Sequence, residues 1–185
     1  ATFALGRAYD QIRVSVAHPR FNVKYFPTEG LLGGDGPFHE CLESVALGYY
    51  LPHMQVQWPC DTIEANKATL AAVLDIKGPI ITLQERAPKP VVTKEDTPYQ
   101  YGVANIIRYT GRQPQFVDSF ETCLSTNWSG TKADIAIVAI GSEVAEAMRA
   151  AVILKETKNL EATVVNVHTL KPLDRQGILK AVQGC

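Results

Sequence analysis

The stretch "ADIAIVAIGSEVAEAMRAAVILKE" at residues 133–156, followed by "EATVVNVHT" at 161–169, decides the fold class. Its first part, residues 134–140, is a short apolar run, which predicts a buried strand. A Gly-Ser turn follows, and apolar residues then recur at helical spacing over 143–156. The segment 161–169 returns to a strand pattern. A strand, a helix and a second strand in this order predict a parallel crossover with a helix packed on a sheet.

The first half of the chain alternates in the same way. Short β-branched or aromatic runs bounded by Pro and Gly predict strands at 22–28, 54–59 and 79–84. Between the last two runs, "CDTIEANKATLAAVLDIKG" at 60–78 predicts a helix with an Asp or Thr cap and a closing Gly. Its expected apolar face consists of Ile63, Leu70 and Leu74. The sequence therefore predicts an α/β protein with two successive, mostly parallel sheets flanked by helices.

The order of these elements suggests a division into domains. The opening "ATFALGRAYDQIRVSVAH" at 1–18 is typical of a helix already under way, so we expect the first unit to lack its start. We assign this unit to residues 1–88. Residues 89–131 carry several prolines and no sustained period, which predicts an inter-domain linker. The second unit is assigned to residues 132–185, and we expect it to end before its sheet is complete.

Composition narrows the possible partners. The formal net charge of −1 argues against nucleic acid, and 46% hydrophobic residues can form one sizeable core or two small ones. No apolar run reaches the roughly 18 residues that span a bilayer, and no leader pattern is present. The cysteines are scattered without a Cys-x-x-Cys pair, so neither a zinc site nor a disulfide framework is indicated. We expect a soluble, cytoplasmic protein that binds neither nucleic acid nor membranes.

A glycine-rich loop, "GLLGGDGPFHE" at 30–40, follows the first predicted strand. It lacks the Gly-Lys-Ser/Thr ending of a P-loop, and its glycines do not fit the dinucleotide spacing. Ligands bind at the carboxyl ends of parallel strands, so Asp35, His39 and Arg86 are expected to face a common crevice. An acid, an imidazole and a fixed cation suit proton transfer on an oxygenated, anionic small substrate.

Each of these residues also has a structural interpretation. Asp35 precedes a glycine and could simply form a turn. His39 could cap a helix expected at 39–47, and Arg86 could be a solvated arginine or part of an inter-domain ion pair. A magnesium role for Asp35 finds little support, because Asn66 stands alone within a predicted helix. The residues alone leave these alternatives open.

An ordered series of motifs, covering essentially the whole chain, resembles the transketolase family. The motifs are "TFALGRAYDQIR" (2–13), "GGDGPFHE" (33–40), "YGVANIIRYTG" (101–111), "AIVAIGSEVAEAMRAA" (136–151) and "VVNVHTLKPLD" (164–174). The resemblance implies a pyrimidine-binding domain followed by a C-terminal domain, as in transketolases whose two halves are separate subunits. It also implies thiamine-diphosphate-dependent transfer of a two-carbon ketol unit from a ketose, expected to be a sugar phosphate, to an aldose.

The resemblance further implies roles for single residues. Asp35 would hydrogen-bond a substrate hydroxyl, and His39 would bind the donor's oxygens and assist proton transfer. Phe3 would pack on the aminopyrimidine of the cofactor with Arg7 beside it, and Arg86 would grip the sugar phosphate. The family binds Mg²⁺ and the diphosphate in another domain, so we expect a homodimer or a heterotetramer with a diphosphate-binding subunit, and no metal ligand in this chain.

The sequence departs from the family at one position of the expected site. Relatives carry a basic residue at the end of the strand before the loop, whereas this chain has Thr28 and Glu29. Thr28 is retained as a substrate-binding candidate, but a carboxylate at Glu29 would repel a phosphate. Either other arginines such as Arg108 assist Arg86, or the substrate carries no phosphate at that end. Two alternative functions stay open: 1-deoxyxylulose 5-phosphate synthase chemistry, and a non-catalytic assembly or regulatory subunit.

Overall fold

The computed structural model of the chain describes residues 2–29, 36, 39, 43–109, 122–124, 133–183 and 185. The helices are α1 Thr2–Arg7, α2 Tyr9–Ile12, a π-helical turn Arg13–Ala17, α3 Ser44–Tyr50, α4 Thr62–Leu74, α5 Glu143–Lys158 and α6 Arg175–Gln183. The strands are β1 Lys24–Tyr25, β2 Thr28–Glu29, β3 Gln55–Gln57, β4 Ile80–Thr82, β5 Gln84–Glu85, β6 Asn105–Tyr109, β7 Thr122–Leu124, β8 Ile135–Ala139, β9 Ala162–Asn166 and β10 Thr169–Lys171.

The first sheet has the strand order β1-β4-β3-β10. The pairs β1–β4 and β3–β4 are parallel, as the alternation of strands and helices predicts. The fourth strand, β10, comes from the second half of the chain and pairs antiparallel with β3. The predicted strand 161–169 is therefore two strands in two sheets. This exchange ties the two halves of the chain together.

The second sheet has the order β7-β6-β9-β8. Its β8–β9 pair is the predicted parallel crossover, with α5 between the two strands. The pairs β6–β9 and β6–β7 are antiparallel. Strands β6 and β7 lie within the stretch 89–131 that was predicted as a linker. The prediction missed them because antiparallel pairing needs no crossover helix, so strands there follow no strand–helix alternation. The predicted fold class, α/β with two partial sheets flanked by helices, is confirmed. The second sheet is mostly antiparallel, however, whereas both sheets were predicted to be mostly parallel.

The helix α4 begins as predicted but buries a different face. Asp61 is its N-cap, and its side chain accepts a hydrogen bond from the Glu64 N–H. The buried side chains are Glu64, Ala68 and Ala72, whereas Leu70 and Leu74 are exposed. The expected apolar face was therefore wrong. The small alanines let the helix approach the sheet closely. The prediction considered only the large apolar residues and therefore chose the wrong face.

Two main apolar clusters form the core. One lies between α1, α2 and the first sheet and includes Leu5, Ile12, Met54 and Ile81. The other lies under α5 and includes Met148. Within the described ranges, no helix is long and apolar enough to cross a membrane.

Candidate functional site

Two short parallel strands bring the predicted site segments to one edge. In the β2–β5 pair, Thr28 lies opposite Gln84 and Glu29 opposite Glu85. The glycine-rich loop begins one residue after β2, and Arg86 directly follows β5. Parallel strands that are paired in register end at the same edge of a sheet. The backbone therefore places the end of β2 next to the end of β5, which Arg86 follows, and the Arg86 side chain is exposed.

An aromatic ring in the first turn of α1 meets an imidazole. The ring centroids of Phe3 and His39 lie 5.3 Å apart, with 58° between the ring planes. Both side chains are exposed, Phe3 by 50%. The His39 N–H donates to the Gly36 carbonyl at 3.0 Å, and Gly36 has φ +80°, where a Cβ is disfavoured. His39 does not cap the predicted helix 39–47, since α3 has Glu43 as its N-cap.

The other predicted residues lie on different elements. Arg7 ends α1, four residues after Phe3, so the two side chains leave the same face of the helix. Its side chain is exposed, as is that of Thr28 in β2. Asp35 lies outside the described residues. Arg108 is on β6, in the second sheet, opposite Cys123.

A buried polar group at the start of α4 was not predicted as a unit. We call it the α4 knot, consisting of Cys60, Asp61, Glu64 and Asn166. The Glu64 carboxylate is 1% exposed and accepts two hydrogen bonds, from the Cys60 N–H at 2.7 Å and from Asn166 Nδ2 at 2.8 Å. Asn166 lies on β9, so Glu64 joins the helix of the first sheet to a strand of the second.

The second carboxylate of the knot anchors the connection between the sheets. Asp61 Oδ2 accepts from the backbone N–H groups of Val92 at 2.8 Å and Thr93 at 2.6 Å. Its Oδ1 accepts from the Glu64 N–H and the Thr93 hydroxyl, both at 2.8 Å. Asp61 is 6% exposed. One carboxylate therefore caps α4 and also fixes the chain where it leaves the first sheet.

Burial changes the proton affinity of the knot. Desolvation raises the pKa of Glu64 from its ordinary 4.5 to about 7, against the opposing effect of its hydrogen bonds. Desolvation and the neighbouring Glu64 also raise the pKa of the Cys60 thiol well above its usual range. A buried thiol of this kind stays protonated at neutral pH and is a poor nucleophile. The knot is therefore structural, with one proton that titrates near neutrality.

His168 belongs to a similar buried arrangement. The side chain is 0% exposed, and its ring centroid is 4.5 Å from that of Tyr99, whose hydroxyl donates to Gln57 Oε1 at 2.5 Å. Burial lowers the pKa of His168 to about 4, so the imidazole is neutral at physiological pH. These contacts agree with a packing role for this histidine.

A cavity of about 520 Å³ lies between the start of α4 and residues 84–89. Its second wall includes Glu85 and Lys89, whose charged atoms, Oε2 and Nζ, lie 3.8 Å apart. Their side chains are only 9% and 11% exposed. In the part of the chain that the structure describes, no three His, Cys, Asp or Glu side chains are grouped so as to hold a metal ion.

The sequence contained a partial signal for the α4 knot. An Asp followed three residues later by Glu resembles a capping box, which identified the start of the helix. Here, however, the glutamate is turned inward to Cys60 and to Asn166, which is 102 residues away. No local pattern predicts such a distant partner.

Comparison with known proteins agrees with these findings. The family profile "Transketolase, pyrimidine binding domain" matches residues 1–88, and "Transketolase, C-terminal domain" matches residues 127–184. A transketolase C-terminal section of Methanocaldococcus jannaschii is 31% identical over 97% of this chain and 50% of that protein. A 6-deoxy-6-sulfo-D-fructose transketolase subunit of Clostridium sp. is 29% identical, covering 97% of the chain and 49% of the subunit.

Other matches extend the comparison. A 1-deoxy-D-xylulose-5-phosphate synthase of Synechococcus sp. is 30% identical over 97% of the chain and 25% of the enzyme. A solved structure described as a split gene transketolase, an inactive β4 tetramer, superposes with a TM-score of 0.77 at 30% identity. The overlap covers 97% of this chain and 50% of that one. The chain thus spans about half the length of the M. jannaschii and Clostridium proteins. With both profiles matched in order and the fold shared, the chain belongs to the transketolase family.

Proposed function

We propose that this chain supplies the pyrimidine-binding side of an enzyme that transfers a two-carbon ketol unit from a ketose to an aldose with thiamine diphosphate. The observation that carries the proposal is the Phe3–His39 pair, with ring centroids 5.3 Å apart. An exposed aromatic face fits a flat heteroaromatic ring by offset stacking. The adjacent imidazole fits proton transfer to a substrate bound over that ring.

Each residue of the edge has a role in this proposal. Phe3 stacks on the aminopyrimidine, and Arg7 lies beside it. His39 holds or moves a proton at the donor's carbonyl or hydroxyl oxygen, and Asp35 accepts a hydrogen bond from a substrate hydroxyl. Arg86 binds the anionic far end of the sugar through its planar set of donors, with Thr28 on the neighbouring strand.

The cofactor supplies the chemistry that side chains cannot perform. When bound, thiamine diphosphate provides the nucleophilic carbon and the electron sink for breaking the C2–C3 bond of the ketose. We propose that Mg²⁺ and the diphosphate are held by a different domain, in a homodimer or in a heterotetramer with a diphosphate-binding subunit. We also propose that the protein works in the reducing cytoplasm, where the free cysteines Cys60 and Cys185 stay as thiols.

The test uses the full-length protein assembled with its diphosphate-binding domain or subunit, thiamine diphosphate and Mg²⁺. Ketose-dependent reduction of ferricyanide is measured for His39→Asn and Asp35→Ala. We expect each variant to lose about 100-fold or more of the rate, the usual contribution of a positioned acid or base. His53→Asn is the matched control, because His53 is exposed in a turn at φ +58°, which asparagine tolerates. Full activity in His39→Asn would refute the assigned role.

One alternative has a specific observation in its favour. The match to 1-deoxy-D-xylulose-5-phosphate synthase covers 97% of this chain, as much as the matches to the M. jannaschii and Clostridium transketolase proteins. The same assembly would then release CO₂ from pyruvate in the presence of an aldose phosphate. Pyruvate-dependent CO₂ release without ketose-dependent turnover would favour the synthase, and the reverse result would favour ketol transfer. A folded, cofactor-saturated assembly that performs neither reaction would indicate a non-catalytic subunit.

A further inference from the structure

The ion pair Glu85–Lys89 brackets Arg86 in the chain. Glu85 ends β5, Arg86 follows it, and Lys89 lies three residues further on. Lys89 Nζ is 3.8 Å from Glu85 Oε2, and both side chains are about nine-tenths buried. Glu85 Oε1 is buried with no hydrogen-bond partner among the described residues. Glu85 therefore depends on Lys89 for compensation of its charge.

The location of this carboxylate is unusual for an anion-binding edge. Glu85 is the residue directly before Arg86, about 3.8 Å away between Cα atoms. It also lies opposite Glu29 in the β2–β5 pair, so two acidic residues share one register position at the edge where the loop begins. The side chains of Glu85 and Lys89 are about nine-tenths buried. Solvent would therefore screen the electric field of the Glu85 carboxylate only weakly if its charge were not compensated.

The side chains of Glu85 and Arg86 differ in their surroundings. Successive residues of a strand point to opposite faces, and Glu85 lines the cavity beside α4 together with Lys89. Arg86 is exposed beyond the end of the strand. An effect of Glu85 on an anion bound by Arg86 would therefore be electrostatic repulsion, which the charge of Lys89 offsets.

We propose that Lys89 determines specificity for sugars with an anionic far end, such as a phosphate or sulfonate, by neutralising Glu85 behind Arg86. The inference rests on the proposed function, in which Arg86 binds that end of the sugar. Removal of the lysine charge exposes the edge to the field of Glu85, which weakens binding of the anion. Removal of both charges restores the balance, because the net charge behind Arg86 is then unchanged.

The experiment compares Lys89→Gln, Glu85→Gln and the double variant in the full-length assembly with cofactor and Mg²⁺. KM and kcat are measured with D-xylulose 5-phosphate and with D-xylulose. Lys89→Gln is expected to raise KM for the phosphorylated ketose about five- to tenfold, which is the size of effect expected when one unit charge is removed near a dianion. Its kcat and its KM for D-xylulose stay unchanged. Glu85→Gln is expected to lower KM for the phosphorylated ketose, and the double variant returns to the wild-type value.

Controls separate this charge effect from disturbed folding. Lys77→Gln makes the same charge change at an exposed lysine before the amino end of β4, the opposite edge of the sheet, and is expected to alter neither KM. Equal rises in KM for both ketoses, or a double variant as impaired as Lys89→Gln, would overturn the inference. A wild-type assembly without ketose-dependent turnover would instead refute the proposed function.

A binding measurement keeps the inference testable in that case too. Calorimetry with D-ribose 5-phosphate on the same assemblies reports the affinity of the edge for the anion without any turnover. We expect Lys89→Gln to bind D-ribose 5-phosphate about five- to tenfold more weakly than the wild type. We expect the double variant, which also carries Glu85→Gln, to bind it with wild-type affinity. The same affinity in all variants, or no binding to the wild-type assembly, would contradict it.

Discussion

The proposed Phe3–His39 site and the α4 knot differ in exposure: the first is open to solvent and the second is buried. At the proposed site, the rings of Phe3 and His39 meet in an exposed position. In the knot, Glu64 and Asp61 are 1% and 6% exposed, and six hydrogen bonds within the described residues converge on their side chains from backbone, amide and hydroxyl donors. The two rings are accessible to a ligand, whereas the carboxylates of the knot are already hydrogen-bonded by their own chain.

The knot should respond most strongly to loss of Asp61. In Asp61→Ala the buried N–H groups of Val92 and Thr93 lose their acceptor and α4 loses its cap. We expect a loss of about 3–5 kcal/mol in the free energy of unfolding, the sum of a cap and several buried hydrogen bonds. Urea unfolding of the full-length protein measures it. Asp75→Ala, at the exposed C-terminal end of the same helix, is the matched control and should change little. Similar losses in both variants would show that Asp61 of the α4 knot stabilises the fold no more than an exposed aspartate does.

The titration of Glu64 gives the next largest effect. Its native pKa of about 7 exceeds its ordinary value of 4.5, so between these values the native state holds a proton that the unfolded chain has released. Stability from this group is fully present below pH 4.5 and is lost as pH rises through 7. At about 1.4 kcal/mol per pKa unit, the rise from 4.5 to about 7 corresponds to roughly 3 kcal/mol.

A glutamine at this position should abolish that dependence. Glu64→Gln keeps a neutral group in place, so it should lack the contribution of about 3 kcal/mol that the wild type loses as pH rises from 4.5 through 7. His168, whose pKa is lowered to about 4, adds stability as pH rises over part of this range in every variant. The measurement is therefore the difference in free energy of unfolding between wild type and Glu64→Gln, from urea unfolding at several pH values. Glu156→Gln, on the exposed face of α5, is the control that should retain the wild-type profile. A difference that does not fall as pH rises would contradict the assigned pKa shift.

The edge should respond through ligands and not through stability. Phe3→Ala is expected to weaken thiamine diphosphate binding about tenfold in the assembled protein, since a stacked aromatic pair contributes roughly 1 kcal/mol beyond its buried area. Phe21→Ala is the matched control, because Phe21 is 58% exposed and Phe3 50%. Calorimetric titration of the cofactor measures both. Equal affinities in the two variants would remove Phe3 from the proposed site.

The predictability of these two regions from sequence also differs. Strands such as β3 and β4 and the crossover around α5 follow from apolar runs and turn residues, which are local properties. The motif around His39 is local too, so its resemblance to a known family identified it. Strand β6 was missed, because a strand within an irregular stretch is recognised only through its partner β9.

The knot could not be predicted for the same physical reason. Glu64 is four residues from Cys60 but 102 from Asn166, and its burial depends on the distant contact. An exposed helical glutamate and a buried one have the same local sequence pattern. The wrong apolar face of α4 is a related error, since Leu70 and Leu74 are exposed while Ala68 is buried. Local patterns locate elements, and the tertiary partners decide which face is buried.

The most direct test of the account is a crystal structure of the full-length assembly with thiamine diphosphate and Mg²⁺. We predict that the aminopyrimidine stacks on Phe3, with ring centroids about 4.5–7 Å apart, and that His39 lies on the substrate side of the cofactor. We also predict that Arg86 faces the same space. A cofactor bound away from Phe3, or Phe3 and His39 both covered by protein in the loaded assembly, would contradict it.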